Sequence, residues 1–491
     1  MGTSLTSKVA KSAGWVFSAK ILARLFEIIK LVVLARLLLP EDFGLFGLVM
    51  LTMLLFETLS ETGLKAALVQ HKGKTREYLN TAWTIQVLRG GILSLILFFV
   101  APLAAWFFKE PRIVLPLRAM CLSFIAQGFI NIETIYFEKD LKFNRQFYYD
   151  MTGNVVSLLT GILLAYLLRS VWALVWANLM GVSTKLILSY SILKYRPRFQ
   201  FIRSQSKELF HFGKWMSGYA IALFGWQQLD KLFVGKLLGP IALGVYQIAQ
   251  RISDIPISNI AGASVNFTFP AYSKIQQEPD RLGKAFLDVL ETLMSVIAPI
   301  IVFCILAAPD IVYGLLTEKW KDCIIILQIL SIAAFFTALD TLATPLFVAV
   351  GRPSIEFLKH LSKVSVLLVT IYPFTLWWGL AGSCGAVVVS SVAVLPVWAV
   401  IRSIANIRWS DIFARLLFPC ACGLTTALSV LVTHILIHEN GIASLAIAAA
   451  LTLALFVVLT LLAGILCEKG LYMHIRRTMK TEPARKNWTV A

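Results

Sequence analysis

The residues able to do chemistry in this chain are ionised side chains set inside long apolar runs. Lys20, Arg24, Glu27 and Lys30 share one run. At about 100° per residue, Lys20, Arg24 and Glu27 fall on one helix face. A second stripe, Gln247, Gln250, Arg251, Asp254 and Ser258, shares a face by the same arithmetic. Gln227, Gln228, Asp230 and Lys231 precede it; Glu57 and Arg89 lie in two further runs, and Asp340 stands near Thr337 and Thr341. A basic group at mid-bilayer costs about 2.5–3.5 kcal/mol on insertion scales. Such groups must line a hydrated cavity or pair with one another. Arginine forks and lysine point charges attract anions, and carboxamides and hydroxyls match a hydroxyl-rich partner. Glu27, Glu57, Asp230 and Asp254 are candidate sites for a coupling ion, H+ or Na+, because buried carboxylates titrate near neutral pH. Their alternative role is to neutralise Arg24, Lys231 or Arg251. Glu61 and Lys65 lie close enough to a membrane face to snorkel.

Other chemistries lack their residues. The six histidines form neither a metal pattern nor a triad. Cys420 and Cys422 have one residue between them and no second pair of ligands, so neither a metal nor a disulfide framework is expected. No G-x-x-x-x-G-K-[ST] loop exists to hold a nucleotide, and no cofactor is expected. The largest outer connection, Pro309–Asp322, carries Asp310, Glu318 and Asp322 but no histidine, which argues against a membrane enzyme.

The elements that must position these charges follow from composition. The 491 residues are 58% apolar and 15% charged, with mean hydropathy +0.77. Globular chains are about 45–50% apolar and about 25% charged, so lipid must be much of the solvent. Spans of about 20 apolar residues can be placed fourteen times, from Gly14–Leu38 to Ile442–Cys467, giving an all-α integral membrane protein. Met1–Ser12 is polar, with Lys8 and Lys11, and does not read as a cleavable signal. The net charge of +18 would suggest nucleic acid in a soluble protein, but its placement excludes that partner. The basic residues concentrate in alternate connections, among them Lys194, Arg196, Arg198 and Arg203, in a group with Arg352, Lys359 and Lys363, and in the tail. By the positive-inside rule both termini are cytoplasmic.

A shift of about 200 residues lays the first half on the second. Leu34-Ala35-Arg36-Leu37-Leu38-Leu39-Pro40 faces Val234-Gly235-Lys236-Leu237-Leu238-Gly239-Pro240; Gly44 meets Gly244, Phe46 meets Tyr246 and Trp15 meets Trp215. With six spans per copy, both copies have the same orientation, a parallel duplication. The expected architecture is two six-helix lobes around a central cleft, 1–207 and 208–404, followed by two peripheral helices and a basic tail in 405–491.

The stretch Leu34–Phe46 resembles the first hairpin of the polysaccharide-unit, Wzx-type, lipid-linked oligosaccharide flippases, within the multidrug/oligosaccharidyl-lipid/polysaccharide exporter superfamily. Glu61-Thr62-Gly63-Leu64, Trp172-Ala173-Leu174-Val175, Gly235–Tyr246, Phe269–Ile275 and Glu318-Lys319-Trp320 are similar in the same order. The branch handling colanic acid, O-antigen or teichuronic-type units looks closest. Leu39 departs from the glycine often found there, which leaves that turn's geometry open.

The resemblance implies a transporter of the bacterial cytoplasmic membrane. It would move an undecaprenyl-diphosphate-linked repeat unit outward, beside a polymerase and glycosyltransferases of the same pathway. Lys20, Arg24 and Arg251 would then attract the diphosphate, assisted by Lys30, Arg89 and Lys231, while Gln227, Gln247 and Gln250 serve sugar hydroxyls. Membrane lipid is the other partner. The competing reading is a drug or metabolite antiporter of the same fold, against which stands the net positive charge of the first span.

Overall fold

The structure is a computed structural model that describes residues 22, 26–60, 63–70, 75–140, 142–437 and 441–466. Among the described residues every regular element is helical, and eleven helical stretches are long and apolar enough to cross a membrane. The main helices are α1 (26–37), α2 (Pro40–Leu59), α3 (Leu79–Phe108), α4 (Val114–Phe129), α5 (Phe143–Leu168), α6 (Trp172–Ile192) and α7 (Arg203–Ser253). They continue with α8 (Gly262–Lys274), α9 (Pro279–Leu306), α10 (Cys323–Ala349), α11 (Pro353–Val392), α12 (Trp409–Leu436) and α13 (Ile442–Leu466). Two of them break at glycine, α7 at Gly239 (φ 82°) and α11 at Gly379 (φ 58°). Both breaks fall where the apolar pattern places a connection between spans.

Local chemistry explains the ends. Pro40, Pro279 and Pro353 open helices, where a missing N–H costs nothing. The Asp42 carboxylate accepts the Leu39 N–H at 3.1 Å and that of Asp411 accepts the Arg408 N–H at 3.1 Å, satisfying donors the helix cannot. Lys109 (φ 56°) and Arg169 (φ 46°) close α3 and α5 in the left-handed region.

The chain forms two compact units, Met1–Gly244 and Val245–Ala491. In the first, α3 packs on α4, and α6 packs on both α4 and α5. In the second, α9 packs on α10 and α12, and α10 also packs on α8 and α11. Phe286, Leu290, Met294, Phe347 and Ile401 centre its apolar core. Helices in lipid gain little from burying oil against oil, so small residues that admit close backbones matter more. A Cβ at Gly90 would meet the Phe124 carbonyl at 2.5 Å, which brings α3 and α4 into close contact.

The repeated turn shows the same principle twice. A Cβ on Gly44 would overlap the carbonyl of Pro240, and one on Gly244 would overlap the carbonyl of Pro40. Each turn's glycine thus receives the other turn's proline carbonyl. The turns themselves differ. Leu39 is extended (φ −92°, ψ 157°), whereas Gly239 has a positive φ that a leucine would resist. The leucine is therefore accommodated by another turn geometry, with no strain at that position.

After α6 the chain runs without regular structure from 193 to 202 and is bound to the first unit by polar side chains. Asn131 donates to the Tyr195 carbonyl at 2.7 Å, and the Tyr195 hydroxyl donates to Asn80 Oδ1 at 2.6 Å. The Arg198 and Gln200 N–H groups donate to Asn80 Oδ1 and Thr84 Oγ1, both at 3.0 Å. What the charge pattern presents as a basic loop is, over this stretch, a docked segment.

Gly44→Val and Gly244→Val should each destabilise the protein by about 1–3 kcal/mol or more, because a backbone carbonyl cannot step aside as a side chain can. Gly91→Ala, where an added Cβ meets nothing within 4 Å, should be neutral or stabilising by about 0.4–1 kcal/mol. Thermal unfolding of the purified protein in detergent, followed by size-exclusion chromatography, checks both.

Candidate functional site

Of the charges expected to act, Lys20 and Arg24 lie outside the described residues. Glu27 is exposed on α1, three residues before half-buried Lys30, whose ammonium donates to Ser157 Oγ on α5 at 2.7 Å. Gln227 is exposed; Lys231 Nζ donates to the Gln227 carbonyl at 3.2 Å and to Gln228 Oε1 at 3.1 Å. Asp230 is buried, and its Oδ1 accepts the Lys231 N–H at 2.8 Å. In the second unit Arg251 is exposed, while Gln247, Gln250 and Asp254 are half-buried.

The first unit brings Glu57 and Arg89 together. Arg89 Nε donates to Ser60 Oγ at 3.1 Å, and Nη2 donates to the Glu57 carbonyl at 2.9 Å. That carbonyl lies in the last turn of α2, where it also accepts the Ser60 hydroxyl at 2.9 Å, and the guanidinium caps α2 from α3. Glu57 and Arg89 line a cavity of about 260 Å³, together with Gln86, Gln127, Lys65 and Thr134. Lys65 stands at its margin, 66% exposed and 2.6 Å from Glu138. Gln86 does a second capping job: its amide donates to the carbonyls of Gln127, Gly128 and Ile130 at 2.9, 3.1 and 3.2 Å, closing the end of α4.

The second unit holds a cluster that the charge pattern misplaced. Lys359 and Lys363, grouped above with connection residues, are each 1% exposed inside α11. Lys363 Nζ donates to Asp340 Oδ2 at 2.6 Å. Lys359 Nζ lies 2.7 Å from Asp340 Oδ1, 2.7 Å from Glu356 Oε2 and 3.1 Å from Thr344 Oγ1. Its two carboxylate contacts are electrostatic, since neither oxygen receives a well-aligned hydrogen bond. Glu356 Oε1 accepts the Thr344 hydroxyl at 2.8 Å and lies 3.3 Å from His360 Nε2. Hydropathy averaging starts this span at Leu361, because Lys359, His360 and Lys363 depress the mean; the helix starts at Pro353. Two signals pointed to it. Asp340 in an apolar run needs a partner, and Glu356, Lys359 and Lys363 follow at the i, i+3 and i+7 spacing of one face.

Other charged pairs, of mixed exposure, join neighbouring elements. Asp150 and Lys185 pair α5 with α6 at 2.9 Å. Arg415 on α12 pairs with Glu291 and, at 3.1 Å, with Asp288, both on α9. Asp310, fully buried, lies 2.6 Å from His434 Nε2. At the connection after α3, Arg112 holds the Glu110 carboxyl below its usual range by a side-chain hydrogen bond and reaches Glu41 at 2.6 Å. No group of three or more His, Cys, Asp or Glu able to hold a metal ion occurs among the described residues.

Lys363→Met should cost about 3–5 kcal/mol, since it strands charge in a dry interior. Combining it with Asp340→Asn should cost less than the two single changes added together. A double-mutant cycle read by thermal unfolding checks the coupling; additive losses would refute it.

Three comparisons bear on this arrangement. Residues 33–325 match the family described as polysaccharide biosynthesis protein. The chain is 23% identical over 357 residues to the teichuronic acid biosynthesis protein TuaB of Bacillus subtilis (strain 168), covering 72% of this chain and 74% of that one. It is 22% identical over 374 residues to the lipopolysaccharide biosynthesis protein WzxC of Escherichia coli (strain K12), covering 75% of each. Among solved structures it superposes on the inward closed conformation of the lipid II flippase MurJ with a TM-score of 0.72, at 15% identity, over 92% of this chain and 100% of that one. That likeness shows the fold.

Proposed function

The chain belongs to the polysaccharide biosynthesis protein family, and from that premise we propose that it flips a lipid-diphosphate-linked oligosaccharide repeat unit across the bacterial cytoplasmic membrane. The observation that carries the reading is a convergence. A family match over more than half the chain coincides with the fold of a protein whose name states lipid II flipping. TuaB and WzxC carry polysaccharide pathways in their names.

The substrate's lipid tail needs no polar path, but its diphosphate and sugars do. Six-helix halves 1–207 and 208–404 rock about a polar cleft, helices in 405–491 stand at the periphery, and both termini are cytoplasmic. Lys20, Arg24 and Arg251 attract the diphosphate, with Lys30 and Lys231 adding positive potential and Gln227, Gln247 and Gln250 serving hydroxyls. The chain makes and breaks no covalent bond. A proton or sodium gradient acting through Glu27, Glu57, Asp230 or Asp254 supplies direction.

Deleting the protein should make the lipid-linked intermediate accumulate on the inner leaflet and remove surface polysaccharide; complementation should reverse both. Arg24→Gln and Arg251→Gln should abolish complementation while leaving protein levels in the membrane unchanged. Lipid extraction with mass spectrometry and a polysaccharide blot read the result. No accumulation on deletion, or full polymer from both variants, refutes the assignment.

A further inference from the structure

We propose that the cavity between α2, α3 and α4 is a sugar subsite, which takes a neutral hexose ring of the transported unit rather than its diphosphate. The inference rests on the flippase reading and names a contact within it.

Three observations carry it. The first is the lining. Glu57, Arg89, Gln86 and Gln127 bring one carboxylate, one guanidinium and two carboxamides to a space of about 260 Å³, and Leu93 and Phe124 add apolar surface. A sugar ring presents hydroxyls that both donate and accept, and C–H faces that prefer apolar contact, so a mixed wall suits it. A diphosphate presents acceptors alone, so the Glu57 carboxylate gives it no partner, and a lining without net positive charge gives it little attraction. Lys65, the other cation of the cavity, is already 2.6 Å from Glu138, so the inner lining is close to neutral.

The second observation is preorganisation. Arg89 is fixed by Ser60 and the Glu57 carbonyl, and Gln86 by three carbonyls at the end of α4. Groups held in place before binding lose less freedom on binding. The close approach at Gly90 and Gly128 sets the packing of α3 on α4 beside Arg89, so the cavity is bounded by backbone that does not give way.

The third observation is depth. Arg89 lies ten residues into α3 from Leu79, about 15 Å along the helix. On the topology proposed above, with α3 entering from the cytoplasmic side, the cavity lies in the inner half of the bilayer. There it would meet the sugars while the lipid tail is still in the inner leaflet.

The test uses the full-length protein purified in detergent. Equilibrium dialysis measures labelled methyl glucoside, methyl galactoside and methyl mannoside, each with and without excess inorganic pyrophosphate. At least one hexoside should bind saturably and survive pyrophosphate. Glu57→Gln and Gln127→Leu should each weaken it about tenfold, the scale of one lost hydrogen bond to a charged or preorganised group. Both variants should elute as the wild type does on size exclusion. Should Glu57→Gln fail to fold, Gln127→Leu carries the test, because the Gln127 backbone carbonyl, not its side chain, takes part in the α4 closure. No saturable hexoside, unchanged binding in the folded variants, or displacement by pyrophosphate would overturn the subsite. Complementation separates this failure from the larger one. If the wild-type gene does not relieve intermediate accumulation, the flippase reading falls. If it does, and both variants relieve it equally fast, the subsite alone falls.

Discussion

An ion in hydrocarbon needs a partner, and most of what is specific in this structure follows from that constraint. Apolar packing fixes little between helices in lipid, since one leucine face resembles another. Charged pairs do fix register. Asp340 draws Lys359 and Lys363 onto itself and so sets how α10 meets α11. Asp150 with Lys185 sets α5 on α6, and Glu291 with Arg415 sets α9 on α12. Removing two charges from water is expensive, and mutual attraction repays it only in good geometry.

The same constraint divides the polar residues into two kinds. In the second unit the α10–α11 cluster is closed: two ammonium groups face two carboxylates and a threonine, nearly all out of contact with solvent. In the first unit the α2–α3–α4 polar groups surround open volume. Arg89 and Gln86 spend donors on helix ends and still border that space. A closed cluster holds helices together, whereas an open one can receive a guest. The distinction depends on geometry that composition does not carry.

How far the sequence reveals this can be followed residue by residue. The apolar runs and the Leu39–Pro40 and Gly239–Pro240 punctuation make the helices and two of their breaks legible, because length and proline act locally. The 200-residue offset anticipates that Gly44 and Gly244 play matching parts, though not that each receives the other's proline carbonyl. Lys359 and Lys363 are misplaced because hydropathy averages over a window and cannot register that one carboxylate neutralises two lysines a helix away. Gln86 and Asn80 escape notice since a lone amide in an apolar run looks like any other; only the carbonyls and N–H groups gathered around them reveal their work. Lys20 and Arg24, the first residues the pattern singles out, lie outside the described region.

The reciprocal seating of Gly44 on Pro240 and Gly244 on Pro40 ties two distant positions to one steric condition. A bulkier residue at either glycine would collide with the main chain of the other turn. Compensation cannot come from exchanging a side chain, because the obstacle is a peptide carbonyl that every amino acid carries. The two glycines are therefore constrained together, while Leu39 and Gly239 before the prolines differ both in residue and in backbone conformation.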